Sequence, residues 1–237
     1  VHSARRWRTV LAFRTVGEGS GLKRDVDHYD QDYFHLILWD AEELEIVGAY
    51  RMADTKKLIE KTSVEALYTH SLFHFDSEMN QYFDYGLELG RSFVQPKYWG
   101  KRSLDYLWFG IGALLKKNPQ YRYLFGPVSI SNALPPAAKS LLVYFYGLYF
   151  PAPTKLATSH QPYQLADEDW HQLKHTFVGN NYSKDFKQLK HLFANMGTAV
   201  PTLFKQYGEL CDNDGVKFLS FGVDPNFANC VDGLVLV

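Results

Sequence analysis

A glutamate and an arginine stand three residues apart in a segment that favours a β-strand. The segment, Leu87–Gln95, contains Glu88-Leu-Gly90-Arg91. Side chains alternate along a straight strand, so Glu88 and Arg91 would point to opposite sides. A β-bulge at Gly90 would re-aim the residue that follows and bring both charges to one face. It would also free a backbone N–H beside them.

A carboxylate and a free N–H are the groups that acyl transfer from a thioester to an amine would use. The free N–H polarises the thioester carbonyl as negative charge develops on its oxygen, and a carboxylate takes the proton that leaves the amine. We therefore predict that Glu88 is the base. The structural alternative is a buried ion pair between Glu88 and Arg91 with no part in catalysis.

An acidic loop precedes an arginine at the end of a predicted strand. The loop carries Asp25, Asp27 and Asp30, and Arg51 ends the motif Gly48-Ala-Tyr-Arg. We expect Arg51 to contact Asp27 or Asp30. Two interpretations stay open: an ion-pair network that fixes the loop to the sheet, or a site for a substrate amine.

A basic turn leads directly into a predicted helix. Unpaired N–H groups and positive potential at a helix start attract phosphate, and the nearby cations add to this attraction. We predict that this turn binds the phosphate of a phosphopantetheine arm, with Ser103 capping the helix. A solvated turn is the alternative. The residues concerned are Lys97, Gly100, Lys101, Arg102 and Ser103.

Polar side chains follow a predicted strand at its end, in Gly126-Pro-Val-Ser129-Ile-Ser-Asn132. Their hydroxyl and amide groups could hold a substrate carboxylate or carbonyl, which makes Ser129 and Asn132 candidate cleft residues. Turn or cap chemistry explains Asn132 equally well.

Two histidine pairs have i, i+4 spacing, but neither has the adjacent glutamate of a zinc peptidase. The pairs are His70 with His74 and His171 with His175. We predict no metal site and no permanently bound cofactor.

The order of predicted elements indicates a mixed α/β (α+β) fold with a central sheet flanked by helices. An extra helical segment precedes the last two strands. The predicted helices are 3–16, 54–61, 103–117, 135–149, 167–177, 183–196 and 201–211, with one or two further helical turns at 77–85. The predicted strands are 34–39, 45–52, 68–75, 87–95, 121–130, 216–223 and 231–237. We interpret residues 1–237 as one domain: a core (1–150), a linker with a helical insertion (151–200) and closing elements (201–237).

Composition limits the classes of function. The net charge is −1, from 25 basic and 26 acidic residues, which argues against nucleic-acid binding. Two cysteines and the lack of an apolar signal segment favour the cytoplasm. The longest apolar stretch, 141–150, is too short to span a membrane. Because the chain starts at Val1 and stops within an apolar run, we expect it to be part of a longer protein.

Taken in order, the acidic triplet Asp25-x-Asp27-x-x-Asp30, the Arg51 motif and Glu88-x-x-Arg91 resemble the GNAT-like N-acyltransferases that make bacterial aminolipids. The related acyl-homoserine-lactone synthases share the same set. The resemblance extends over most of the chain, through residues 123–132 and 224–227 to the motif Asp232-Gly-Leu.

The resemblance implies a GNAT fold with a splayed sheet, and transfer of a long (3-hydroxy)acyl group from acyl carrier protein to a small amino acid. The product would be a lyso-aminolipid. By matching position, Glu88, Arg91 and Asp30 would act at the active site, while Asp27 and Arg51 would line or brace the cleft. Peripheral contact with the inner face of the membrane and fusion to an O-acyltransferase domain would also fit.

Two departures from the family pattern are present. GNAT enzymes cradle coenzyme A with Arg/Gln-x-x-Gly-x-Gly/Ala, but here Lys97-x-x-Gly100 is followed two places on by the bulky Arg102. This difference favours acyl carrier protein over acyl-CoA. Ala12 stands where relatives have an arginine. The alternative functions are a homoserine-lactone-type synthase and a non-enzymatic module that binds a membrane or partner through residues 141–150.

Overall fold

The computed structural model describes Thr15, residues 27–211 and residues 215–237. The predicted first helix, apart from Thr15, and the positions Ala12 and Asp25 lie outside these residues. The strands are β1 (Phe34–Asp40), β2 (Glu45–Asp54), β3 (Phe73–Phe75), β4 (Gly86–Val94), β5 (Tyr123–Ile130), β6 (Ala157–Ser159), β7 (Lys217–Asp224) and β8 (Cys230–Leu236). The α-helices are α1 (Thr55–Lys61), α2 (Asn80–Phe83), α3 (Ser103–Lys117), α4 (Pro136–Tyr149), α5 (Asp167–Thr176), α6 (Tyr182–Asn195) and α7 (Thr202–Glu209). Short 3-10 helices cover His28–Gln31, Val64–Ala66, Tyr68–Ser71, Ser77–Met79 and Pro96–Tyr98.

Six strands form the central sheet in the order β1-β2-β4-β5-β8-β7, and β3 pairs with β6 in a second, small sheet. In the central sheet β4 and β5 run parallel, and the other neighbouring pairs are antiparallel. The predicted mixed α/β fold is confirmed, as are the helices that precede the last two strands.

The parallel strands β4 and β5 pair over a short distance and then separate. Their register runs from Gly86↔Tyr123 to Glu88↔Phe125, while β5 stays paired with β8 as far as Ile130. Pro127 lacks an N–H to donate, so it suits a strand that leaves one edge unpaired. The sheet is therefore splayed beyond Phe125.

A β-bulge interrupts the pairing of β4 with β2. Ala49 lies opposite Phe93, whereas Arg51 lies opposite Gly90, so β4 has one residue more than β2 between these positions. The predicted bulge is present, and within it Arg91, at φ 48°, takes the left-handed conformation. That conformation costs an arginine roughly 1–2 kcal/mol.

The two faces of the sheet have different neighbours. Helix α3 packs on one face against apolar side chains of β2 and β4, including Tyr50 and Leu89. Alternation along the strands turns Arg51 and Glu88 to the opposite face, which the 3-10 helix Tyr68–Ser71 covers. The bulge brings Arg91 to this same face, where its guanidinium lies over the ring of Tyr68.

Two local predictions were wrong. The segment 68–75 is a 3-10 helix followed by the short β3, because the Thr69 N–H donates to Glu88 instead of to a strand partner. Ser103 is the first residue of α3, not its cap, and its hydroxyl donates to the Tyr98 carbonyl.

The aromatic segment 141–150 forms most of α4 and lies in the largest apolar cluster. Phe145 and Tyr146 are fully buried against α6 and α7. This packing contradicts the non-enzymatic alternative, which needs the segment exposed. In the described part of the chain no helix has the length and apolar character to cross a bilayer.

Gly126→Ala is expected to lower the free energy of unfolding by about 1–3 kcal/mol, the usual cost of overpacking. A Cβ at position 126 would overlap the carbonyl oxygen of Leu89, at the place where β4 and β5 separate. Urea denaturation measures the change. Gly112→Ala is the matched control, because its exposed site in α3 is open and alanine there should stabilise the helix by about 0.5–1 kcal/mol. Equal effects of the two substitutions would contradict the close approach.

Candidate active site

A cavity of about 530 Å³ lies where β4 and β5 separate. Its walls come from residues 91–94 of β4, residues 127–129 of β5 and the start of α3. Tyr68 and Phe227 line it from one face of the sheet, and Leu104 from the face that carries α3. The gap between the two strands thus connects the two faces.

Arg91 supplies positive charge at the cavity wall. Its guanidinium lies over the rings of Tyr68 and Phe227, at 5.5 and 5.2 Å from their centroids, and 3.4 Å from an Asp27 oxygen. These contacts hold the guanidinium at the cavity edge, and the aromatic rings shield it from solvent. The bulge places Arg91 there.

Behind this wall lies a buried ionic network. Arg51, 1% exposed, donates to Asp27 at 2.5 Å and lies 3.4 Å from Asp30, so the predicted contact with the acidic loop is confirmed. Burial alone would raise the pKa of Asp27, but the charges of Arg51 and Arg91 outweigh it and hold that pKa below its usual value. Asp27 therefore stays ionised between two arginines.

Glu88 is 1% exposed and lies on the same face, but it does not line the cavity. Tyr33 donates its hydroxyl proton to one carboxylate oxygen, and the Thr69 N–H donates to the other at 2.6 Å. The Tyr33 oxygen in turn accepts from the Tyr68 N–H at 2.8 Å. Burial raises the pKa of Glu88, and its hydrogen bonds oppose that shift. The expected position of Glu88 at the cleft is thus corrected to one behind the cavity wall.

The predicted residues of the basic turn differ in whether they line the cavity. Gly100, Lys101 and Ser103 line the cavity, as predicted for a donor site. The side chains of Lys97 and Arg102 do not. Lys97 pairs with two glutamates of the β1–β2 hairpin at 2.9 and 2.8 Å, and Arg102 pairs with Asp105 at 3.2 Å, so both cations already have acidic neighbours.

The two predicted residues at the end of β5 also differ in their position. Ser129 lines the cavity, whereas Asn132 lies outside it, exposed, and accepts a hydrogen bond from Lys139 at 2.6 Å. The cavity also contains Asp232, for which the sequence had indicated no role. The sequence did contain a signal for this residue, because Asp232 is the one charged residue in the apolar strand Cys230–Leu236.

The arrangement combines an apolar channel with a polar end. Phe93, Val94 and Leu203 supply apolar surface, and Arg91 and Asp232 place opposite charges on the cavity wall. Such a site can hold an extended apolar chain and a small zwitterion side by side. Of the predicted site residues, the structure brings Arg91, Ser129, Gly100, Lys101 and Ser103 together in the cavity.

Comparison with known proteins agrees with this architecture. Residues 9–109 match the acetyltransferase (GNAT) domain. The chain is 32% identical over 212 residues to a glycine N(alpha)-acyltransferase of Bacteroides thetaiotaomicron, covering 84% of the chain and 63% of the relative. A glycine N(alpha)-acyltransferase of Phocaeicola vulgatus is 30% identical over 212 residues, with 84% and 65% covered.

A more distant relative is an L-ornithine N(alpha)-acyltransferase of Brucella abortus, 31% identical over 144 residues, with 54% of the chain and 49% of the relative covered. No solved structure matches the chain. The chain spans less than two thirds of the length of the relatives named here. It nevertheless contains a GNAT domain and is similar over most of its own length to bacterial glycine N(alpha)-acyltransferases.

Proposed function

We propose that this protein transfers a long acyl group from a thioester donor to the α-amine of a small amino acid. The observation that carries the proposal is the cavity between β4 and β5, which places an apolar channel beside a pair of opposite charges. The acceptors named for the relatives, glycine and ornithine, support an amino-acid substrate. Because a thioester is already activated, holding the two substrates in the right position supplies much of the rate acceleration.

The donor enters, in this proposal, past the start of α3. Lys101 and the unpaired N–H groups of the first helical turn offer a seat for the phosphate of a phosphopantetheine arm. Acyl carrier protein is the proposed carrier, because Arg102 stands where GNAT loops have a small residue that cradles coenzyme A. The acyl chain, (3-hydroxy)acyl in this proposal, lies along Phe93, Val94 and Leu203.

The acceptor binds at the polar end of the cavity. Arg91 attracts the carboxylate of an amino acid, and Ser129 offers a hydroxyl for hydrogen bonding. The acceptor amine then lies within the gap between the strands, where attack on the thioester forms an amide. The product is a lyso-aminolipid.

A thiol-release assay tests the activity directly. Purified protein with acyl-carrier or CoA thioesters and a panel of amino acids is expected to release thiol with glycine or ornithine, faster from the carrier protein. Arg91→Ala should raise KM for the amino acid at least about tenfold, because it removes a charge-assisted hydrogen bond. Arg122→Ala is the control, since its exposed guanidinium lies over Tyr85, away from the cavity. Absence of thiol release with every acceptor would overturn the proposal.

Glu88→Gln is expected to leave at least about a tenth of kcat/KM, well short of the roughly 10²–10⁴-fold loss for a missing general base. We propose that Glu88 positions the cavity wall, because it anchors Tyr33 and the helix that carries Tyr68. Glutamine replaces one of the two accepting oxygens with an NH2 group that faces a donor, so the melting temperature should fall. A loss above about 10³-fold at an unchanged melting temperature would return Glu88 to the role of base.

Peripheral contact with the inner face of the membrane is part of this proposal. Trp99, which lines the cavity, and Tyr106 and Phe109 of α3 are exposed, and Lys101 adds positive charge beside Trp99. Amphipathic aromatic side chains with nearby cations favour an anionic lipid interface. Flotation with anionic vesicles is expected to recover the protein, and recovery should fall for Phe109→Ser. Equal recovery of both proteins would contradict this contact.

A further inference from the structure

Asp232 lies at the centre of the closing strand, facing the cavity. It pairs across the sheet with Ser129 of β5 on one side and Gly222 of β7 on the other. The side chains of such an opposed pair share a face, so Asp232 and Ser129 project together into the gap beside β4. Asp232 is 3% exposed.

The hydrogen bonding of Asp232 is incomplete. Ser129 bonds to its carboxylate, but Oδ1 has no hydrogen-bond partner among the described residues. Asp224, which is equally buried on β7, shows the contrast: its oxygens accept from the Asn226 N–H at 2.8 Å and the Tyr68 hydroxyl at 3.4 Å. A buried carboxylate oxygen that lacks a partner is costly unless a ligand supplies one.

The charged and titratable groups around Asp232 come from three elements. Burial raises the pKa of Asp232 to about 7, and the nearby Asp224 of β7 adds to this shift. The Ser129 hydrogen bond and the charge of Arg91 on β4 oppose it. Tyr68 also faces the group from its 3-10 helix. A carboxylate that titrates near neutral pH can both accept and release a proton under working conditions.

We propose that Asp232 is the general base that deprotonates the acceptor amine. This inference rests on the proposed acyl transfer and adds the residue that makes the amine nucleophilic. Arg91 and Ser129 flank the same end of the cavity, so an amino acid whose carboxylate meets Arg91 presents its ammonium group to Asp232. Glu88, behind the wall with both oxygens bonded, lacks such access.

The proton balance of the step is complete without a further reactant. The acceptor ammonium group loses one proton to the Asp232 carboxylate, and the neutral amine attacks the thioester carbonyl. A C–N bond forms and the C–S bond breaks, with its electron pair leaving on sulfur. The new amide nitrogen loses a second proton. One of the two protons goes to the thiolate and the other to water, which restores the Asp232 carboxylate.

Asp232→Asn tests the assignment in the thiol-release assay. For the wild type, kcat/KM is expected to rise with pH as Asp232, whose pKa is about 7, loses its proton. This rise is the acid limb of the pH profile. The asparagine side chain cannot take up a proton, so the variant should lose at least about 100-fold in kcat/KM and lose that limb. Asp224→Asn is the matched control: it removes a buried carboxylate that does not line the cavity, and it should keep the limb, moved to lower pH because Asp224 helps to raise the pKa of Asp232.

Thermal stability separates a base from a structural residue. The pKa of about 7 for Asp232 in the folded protein lies above the ordinary value of 3.8, so the folded state binds the proton of this carboxyl more tightly than the unfolded state does. The folded state therefore loses stability as pH rises from about 4 to about 7. Asp232→Asn removes this loss, and its melting temperature at about pH 8 should equal or exceed that of the wild type. Asp224→Asn should melt lower, because it disturbs satisfied hydrogen bonds.

Each outcome supports or overturns the assignment. Wild-type kcat/KM and an unchanged acid limb in Asp232→Asn would overturn it, while thiol release by the wild type would preserve the proposed function. Lost activity with a lower melting temperature above neutral pH would make Asp232 structural. If the wild type itself releases no thiol from any donor, the proposed function fails, and the inference that depends on it fails too.

Discussion

The separation of two parallel strands is the constraint on which the site depends. Parallel neighbours in a sheet normally share a regular ladder of hydrogen bonds, and no room is left for a substrate between them. Here β4 carries a bulge at Arg91 and β5 carries Pro127, so neither strand offers a regular partner to the other beyond Phe125. The resulting gap is bounded on both sides by the two strands.

Buried ion pairs hold one wall of that cavity in place. A buried guanidinium such as that of Arg51 costs several kcal/mol unless opposite charges and hydrogen bonds compensate it. The acidic loop provides Asp27 and Asp30, and tyrosine rings at 5.1–5.7 Å from Arg51 shield the group. Because Asp27 also meets Arg91, the loop ties the interior of the sheet to the edge of the cavity.

Sequence patterns were reliable where the interactions are local. The two strands β1 and β2 and the apolar helix α3 were predicted with bounds within a few residues. Complementary charge predicted the contact of Arg51 with the acidic loop, since few partners can neutralise a buried arginine. The bulge near Gly90 was also predicted, because two charges of one motif could share a face in no other regular way.

The sequence by itself thus determined the α/β order, the paired charges and the place where β4 is irregular. Only the tertiary structure decided which carboxylate meets the cavity. Glu88 and Asp232 both look like buried acids within strands, but the 3-10 helix Tyr68–Ser71 covers Glu88, whereas the gap beside β5 exposes Asp232 to a ligand. The physical reason is that this difference depends on neighbours far apart in the chain, which strand periodicity does not encode.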